Sequence, residues 1–197
     1  MESFCIASGL GYKAATEDQP ESFNNIRAGS FHIFETTYSV KEIVGIWNTQ
    51  AYKWTKYYVY LRLIDRDAPR NREQVAPTFL TFVTSAVWHG IFSGFYVFFI
   101  AIGFMDIFAK TFERTELAHK LDQYTPYPVK WFLCYYAVHI NIAYFGMAFM
   151  LLFVDEYSVM FAATNWVWFW LLPIGTVIVF FLPMHKKHTV APKEKST

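Results

Sequence analysis

The placement of charged residues divides this chain into a polar first third, three long uncharged runs and a polar tail. Residues 74–105, 131–154 and 157–184 contain no Asp, Glu, Lys or Arg. Each run exceeds the roughly 20 apolar residues that a helix needs to cross a bilayer. The first is too long for one straight span, since its 32 residues would reach about 48 Å against a hydrocarbon core of about 30 Å. The pattern therefore predicts two short, bent or partly re-entrant helices within 74–108, broken near Gly90, Ser93 and Gly94. One pass is expected over 131–154, with a loop at Asp155-Glu156. Another is expected over 166–183, kinked at Pro173 and Gly175.

The first 73 residues have a different texture. A turn-rich polar stretch leads into "SVKEIVGIWNTQAYKWTKYYVYLRLI", where Ile43, Ile46, Trp47, Trp54, Tyr58 and Leu61 recur as on one helical face. Ser39, three residues before Glu42, is placed to open a capping box. Aromatic residues on one side and Lys53, Lys56 and Arg62 elsewhere suit a helix lying in the headgroup interface, the other reading being an ordinary core helix. The expectation is an all-α, polytopic integral membrane protein with about four membrane-embedded helices and an N-terminal interfacial helix. Residues 1–73 would be the interfacial or cytoplasmic segment, 74–184 the membrane helices and 185–197 a cytoplasmic tail. Lysines and arginines on both flanks of 74–108 place those flanks on the cytoplasmic side.

Composition supports a membrane setting. The chain is 54% hydrophobic and 21% aromatic, with a mean hydropathy of +0.20 and a net charge of +1. Its aromatics lie within apolar runs rather than among the charges, which argues against nucleic acid as a partner. Two cysteines, Cys5 and Cys134, give neither a disulfide framework nor metal-ligand spacing, so no metal is expected. The first twenty residues lack the basic and apolar regions of a secretory signal.

An ionisable residue inside a membrane run is costly and marks a functional candidate. His89, in "SAVWHGIFSGFY", is the foremost. A neutral imidazole can accept a proton from a hydroxyl, and the flanking glycines permit close approach of a substrate or helix. Equally, His89 could be a packed histidine bonded to a neighbouring helix. Asn48, in "GIWNTQ", has an amide that can donate to a developing oxyanion or orient a base, or simply cap a helix. Ser85 shares a helical face with His89, but a serine in such a helix more often bonds its own backbone. His139 and Asn141 form a second polar pair, able to line a cavity or to link helices.

Two of these stretches resemble one family. "SAVWHGIFSGFY" is similar to the histidine signature of the membrane-bound O-acyltransferases, and "WNTQAYKWTKYYVYLRL" to their asparagine-centred stretch, in the same order and about forty residues apart. The lead-in "CIASGLGY" and "FETTYSVKEIVGIWN" look like the lysophospholipid acyltransferase branch. The resemblance implies transfer of a fatty acyl group from acyl-CoA, a co-substrate and not a resident cofactor, to the hydroxyl of a lysophospholipid in the bilayer. It implies His89 as general base and Asn48 as its catalytic partner. Trp88, Phe92, Phe95 and Tyr96, with His139 and Asn141, would contact substrate, and Lys53, Lys56 and Arg62 would attract the CoA phosphates.

This chain has Ser93, Gly94 and Phe95 where many members have Pro-Gly-Tyr, so a tyrosine hydroxyl is lost. Family members are roughly twice as long, which makes this chain look like a C-terminal half whose N-terminal helices, or a second copy, complete the chamber. A non-catalytic membrane subunit of the same ancestry is the rival reading. Lys193 and Lys195 resemble a dilysine retrieval signal, which would suit a multi-pass protein of the endoplasmic reticulum membrane, or they belong to a solvated basic tail.

Overall fold

A computed structural model of the protein describes residues 7–16, 20–23, 29–65, 67 and 74–185. The tail beyond His185, with its lysine pair, lies outside the described residues, as do Cys5, Arg66, Arg70 and Arg72. Among the described residues every extended element is helical, and pairing of the strand type is confined to two isolated bridges.

Short helices come first. Helix α1 spans Phe31–Thr36 and α2 spans Val40–Trp47. Ser39 opens α2, its hydroxyl accepting from the Glu42 N–H at 3.3 Å. The reciprocal half of the expected capping box is replaced, because the Glu42 carboxylate takes the Thr37 hydroxyl and Thr37 Oγ1 accepts from the Ser39 N–H at 3.1 Å. The long interfacial helix foreseen over this region is also divided. Asn48, at φ −146° and ψ 87°, ends α2 and starts α3, Thr49–Thr55. A π-helical turn, Lys56–Tyr60, and a last α-turn, Leu61–Leu63, follow.

Helices α4, Val75–His89, and α5, Ser93–Phe112, divide the first uncharged run between them. Gly90 makes the break at φ 129°, a conformation that side chains rarely adopt. At 15 residues, about 22 Å, α4 is too short to span a bilayer alone. Helix α5 is the central strut and packs against α4, α7 and α9. Its buried positions, from Gly94 and Phe98 through Ile102 and Asp106 to Thr111, lie on several faces, as expected of a helix covered by neighbours.

Helix α6, Glu116–Tyr124, is amphipathic and capped by the Thr115 hydroxyl; its Asp122 pairs with Lys130 of α7, Tyr127–Leu151. The lysine holds the Asp122 carboxyl below the ordinary carboxylate range. Helices α8, Val154–Ala163, and α9, Val167–Val179, close the described fold. Phe98, Ile102 and Met105 of α5, Ile142, Phe145 and Ala148 of α7, and Tyr157 and Phe161 of α8 form the core.

Helices α5 and α7 are long and apolar enough to cross a membrane, and α8 with α9 makes a third such unit only as a pair bent by 83°. Two or three units among the described residues thus have the length and composition of a span, with α4 as a shorter helix beside α5. One expectation needs correction: Asp155 and Glu156 stand in the first turn of α8 rather than in a loop, where carboxylates face the positive end of the helix dipole. The 83° bend falls between α8 and α9, where Asn165 and Trp166 have φ of 50° and 57°, and Pro173 lies in the interior of α9.

Candidate active site

Helices α2 and α3, the π-helical turn and the α4–α5 hairpin enclose a cleft of about 1070 Å³. Asn48, between α2 and α3, and His89, at the end of α4, both line it. So do Lys53, Lys56, Ser85 and Trp88, together with Ile43, Val44, Trp47, Phe98 and Ile102 as an apolar lining.

His89 ends α4 just before Gly90 and lines the cleft from that helix end. The ring centroid lies 5.5 Å from Phe95, 5.0 Å from Phe99 and 5.3 Å from Phe149. Three phenylalanines thus fix one side of the imidazole, while the residue as a whole is exposed rather than enclosed as its sequence context suggested. Its neighbours Trp88 and Ile91 are 73% and 91% exposed. Trp88 packs on Trp54 at 5.4 Å across the cleft.

The local geometry behind His89 is rigid. The Gly94 N–H donates to the Leu152 carbonyl at 3.0 Å and the Ser93 hydroxyl donates to the same oxygen at 3.2 Å. These bonds tie the start of α5 to the end of α7 and set the loop that positions His89.

Asn48 caps a helix from the cleft lining. Its Oδ1 accepts from the Ala51 N–H at 3.2 Å and so caps α3. That use of the oxygen leaves the amide nitrogen as the group with hydrogens to offer in the cleft.

The other sequence candidates separate. Phe95 touches His89 but does not line the cleft, and Phe92 packs on Phe95 and Phe153. Tyr96, Arg62, His139 and Asn141 also lie off the cleft lining. Arg62 sits over the Tyr58 ring at 5.5 Å. His139 links helices, its Nδ1 lying 2.9 Å from the Tyr135 carbonyl oxygen and its Nε2 3.1 Å from that of Phe34. Asn141 donates to the Ala137 carbonyl one turn back. Ser85 likewise donates to the Thr81 carbonyl at 3.2 Å, so it is not paired with His89.

The sequence reading overlooked Phe99, Phe149, Asp106 and Lys110. Asp106 is the one acid between residues 74 and 112, with a lysine four positions on, and that spacing was a legible signal. Phe149 lies 60 residues from His89, and nothing local marks it.

Comparison with known proteins now fixes the class. Residues 1–150 match the membrane-bound O-acyltransferase family, and the chain belongs to it. It is 29% identical over 157 residues to a lysophospholipid acyltransferase of Schizosaccharomyces pombe, covering 77% of this chain and 30% of that protein. Lysophospholipid acyltransferase 1 of Arabidopsis thaliana is 24% identical, covering 98% and 42% respectively. Membrane-bound glycerophospholipid O-acyltransferase 2 of Rattus norvegicus is 26% identical, covering 97% and 34%. The chain thus spans about a third of the length of these relatives.

Proposed function

We propose that this chain builds the catalytic wall of an enzyme that transfers a fatty acyl group from acyl-CoA to the free hydroxyl of a lysophospholipid. The observation that supports the reading is the meeting of His89 and Asn48 in one cleft with an apolar lining and lysines at its walls. In this mechanism His89 accepts the hydroxyl proton as the oxygen attacks the thioester carbonyl. The Asn48 amide nitrogen donates to the oxyanion that forms. The carbon–sulfur bond then breaks, and the thiolate leaves with the proton that His89 returns. The thioester is already activated, so the protein acts mainly by alignment. Phe95, Phe99 and Phe149 hold the imidazole ring, and Trp88 with Trp47 guides the acyl chain.

Acylation of a lysophospholipid panel in microsomes lacking related enzymes tests this reading. Acyl-CoA-dependent product that disappears in His89→Ala is the expected result. Stable association with an intact acyltransferase but no turnover would favour the non-catalytic subunit instead. The same microsomal fractions test residence in the endoplasmic reticulum.

A further inference from the structure

The cleft has a polar wall that the chemistry at His89 leaves unexplained. Thr78, Thr81, Ser85 and His89 all face it from α4, spaced by three or four residues as one stripe. Helix α5 runs back along α4, with Phe79 meeting Phe104 at 4.8 Å and Phe82 lying against Gly103. Asp106 and Lys110, which also line the cleft, therefore stand at the Thr78 end, whereas His89 sits among Phe95 and Phe99 at the other. Eleven residues of helix, about 16 Å, separate Thr78 from His89.

The Thr78 end is unusual for an apolar helix pair. Asp106 is only 7% exposed and is ion-paired with Lys110, whose side chain retains 31% of its exposure. Thr78 is 2% exposed, and its hydroxyl has no hydrogen-bond partner among the described residues. By contrast Thr81 donates to the Pro77 carbonyl at 2.7 Å, the ordinary outcome on a helix. Buried charge and an unsatisfied hydroxyl both work against stability, and a ligand bound in the cleft would offset both. Among the described residues the charged lining comprises Lys41, Lys53, Lys56 and Lys110 against Asp106, a balance that favours an anion.

We propose that Lys110, aimed by Asp106 and joined by Thr78, anchors the diphosphate end of the acyl donor while the thioester lies at His89. Asp106 is a positioning residue, and Lys110 makes the contact. The proposal rests on the acyl-CoA reading above. Length decides between the two substrates. From the acceptor hydroxyl of a lysophospholipid to its phosphorus is about four bonds, or about 5 Å, too short to join the two ends of the cleft. From the thioester sulfur of CoA to the first phosphorus is about thirteen bonds, about 15 Å when extended.

The test is equilibrium binding of palmitoyl-CoA and of palmitoyl-pantetheine, which lacks the phosphates, to the full chain in nanodiscs. Lys110→Met is expected to weaken palmitoyl-CoA by about tenfold or more and to leave palmitoyl-pantetheine unchanged, with Lys110→Arg restoring most of the loss. Thr78→Val, which removes the orphan hydroxyl without changing shape, is expected to weaken palmitoyl-CoA several-fold while the unfolding midpoint holds or rises. Unchanged palmitoyl-CoA affinity in both Lys110→Met and Thr78→Val overturns the anchor, as does parallel weakening of both ligands in Lys110→Met. A wild-type chain that binds palmitoyl-pantetheine but gains nothing from the phosphates overturns the anchor as well. A wild-type chain that binds neither thioester refutes the donor reading itself.

Discussion

Alanine at position 94 would place its methyl carbon 2.0 Å from the Ala148 carbonyl oxygen, 2.9 Å from the Ala148 carbonyl carbon and 3.0 Å from the Leu152 Cα. All three are backbone atoms, so no side chain can rotate aside. To restore even a 3.0 Å contact with that oxygen, α5 must withdraw from α7 by about 1 Å, straining a packed helix joint. The withdrawal also lengthens the bond from the Gly94 N–H to the Leu152 carbonyl, now 3.0 Å. Overpacking costs about 1–3 kcal/mol and the weakened hydrogen bond about 1 kcal/mol more, giving about 2–4 kcal/mol for Gly94→Ala. Gly90→Ala isolates a different cost. Its Cβ would find Phe95 at an easy 3.7 Å, so the φ of 129° alone sets the penalty. Equilibrium unfolding in mixed micelles measures both variants. Wild-type stability in Gly94→Ala would refute the claim that a backbone joint holds the loop behind His89.

Asn48→Ala should lose both the α3 cap, about 1 kcal/mol, and turnover, whereas Asn48→Asp should keep the cap and lose turnover; unfolding and acylation measured on the same preparations separate the two roles. Ser39→Ala should lower stability by about 1 kcal/mol and leave the KM for both substrates unchanged, because that cap stands outside the cleft. Phe149→Ala should lower kcat more than it raises KM, since it frees the imidazole ring rather than removing a cleft wall, and steady-state kinetics would reveal the reverse pattern if the ring contact were incidental.

Helical class was legible because uncharged runs of this length have few other uses. The break at Gly90 was legible too, since a run of 32 residues is too long for one span and glycine is the cheapest place to turn. Asn48, His89 and Phe95 were singled out from the sequence, yet Phe149 was not, because it reaches His89 only by the packing of α7 on α5. The bend before α9 was hidden for another reason. Asn165 and Trp166 take left-handed conformations without glycine, and the Trp166 ring packs at 5.4 Å on Phe161 and 5.5 Å on Phe169, one on each side of the turn. Pro173 stands inside α9, as a proline can in a membrane helix. His139 and Asn141 read equally as cavity residues or helix links, and both His139 nitrogens and the Asn141 amide nitrogen lie on backbone carbonyls, one of them across to Phe34 of α1.

The central claim is that His89 abstracts the acceptor's proton in a cleft shared with Asn48. Acyl-CoA-dependent acylation of lysophospholipids by the wild-type chain and by His89→Ala, at matched membrane expression, tests it most directly. The account expects product from the wild type and loss of at least about a hundredfold in the variant, the low end of the usual contribution of a general base. Equal turnover by the two chains would contradict it.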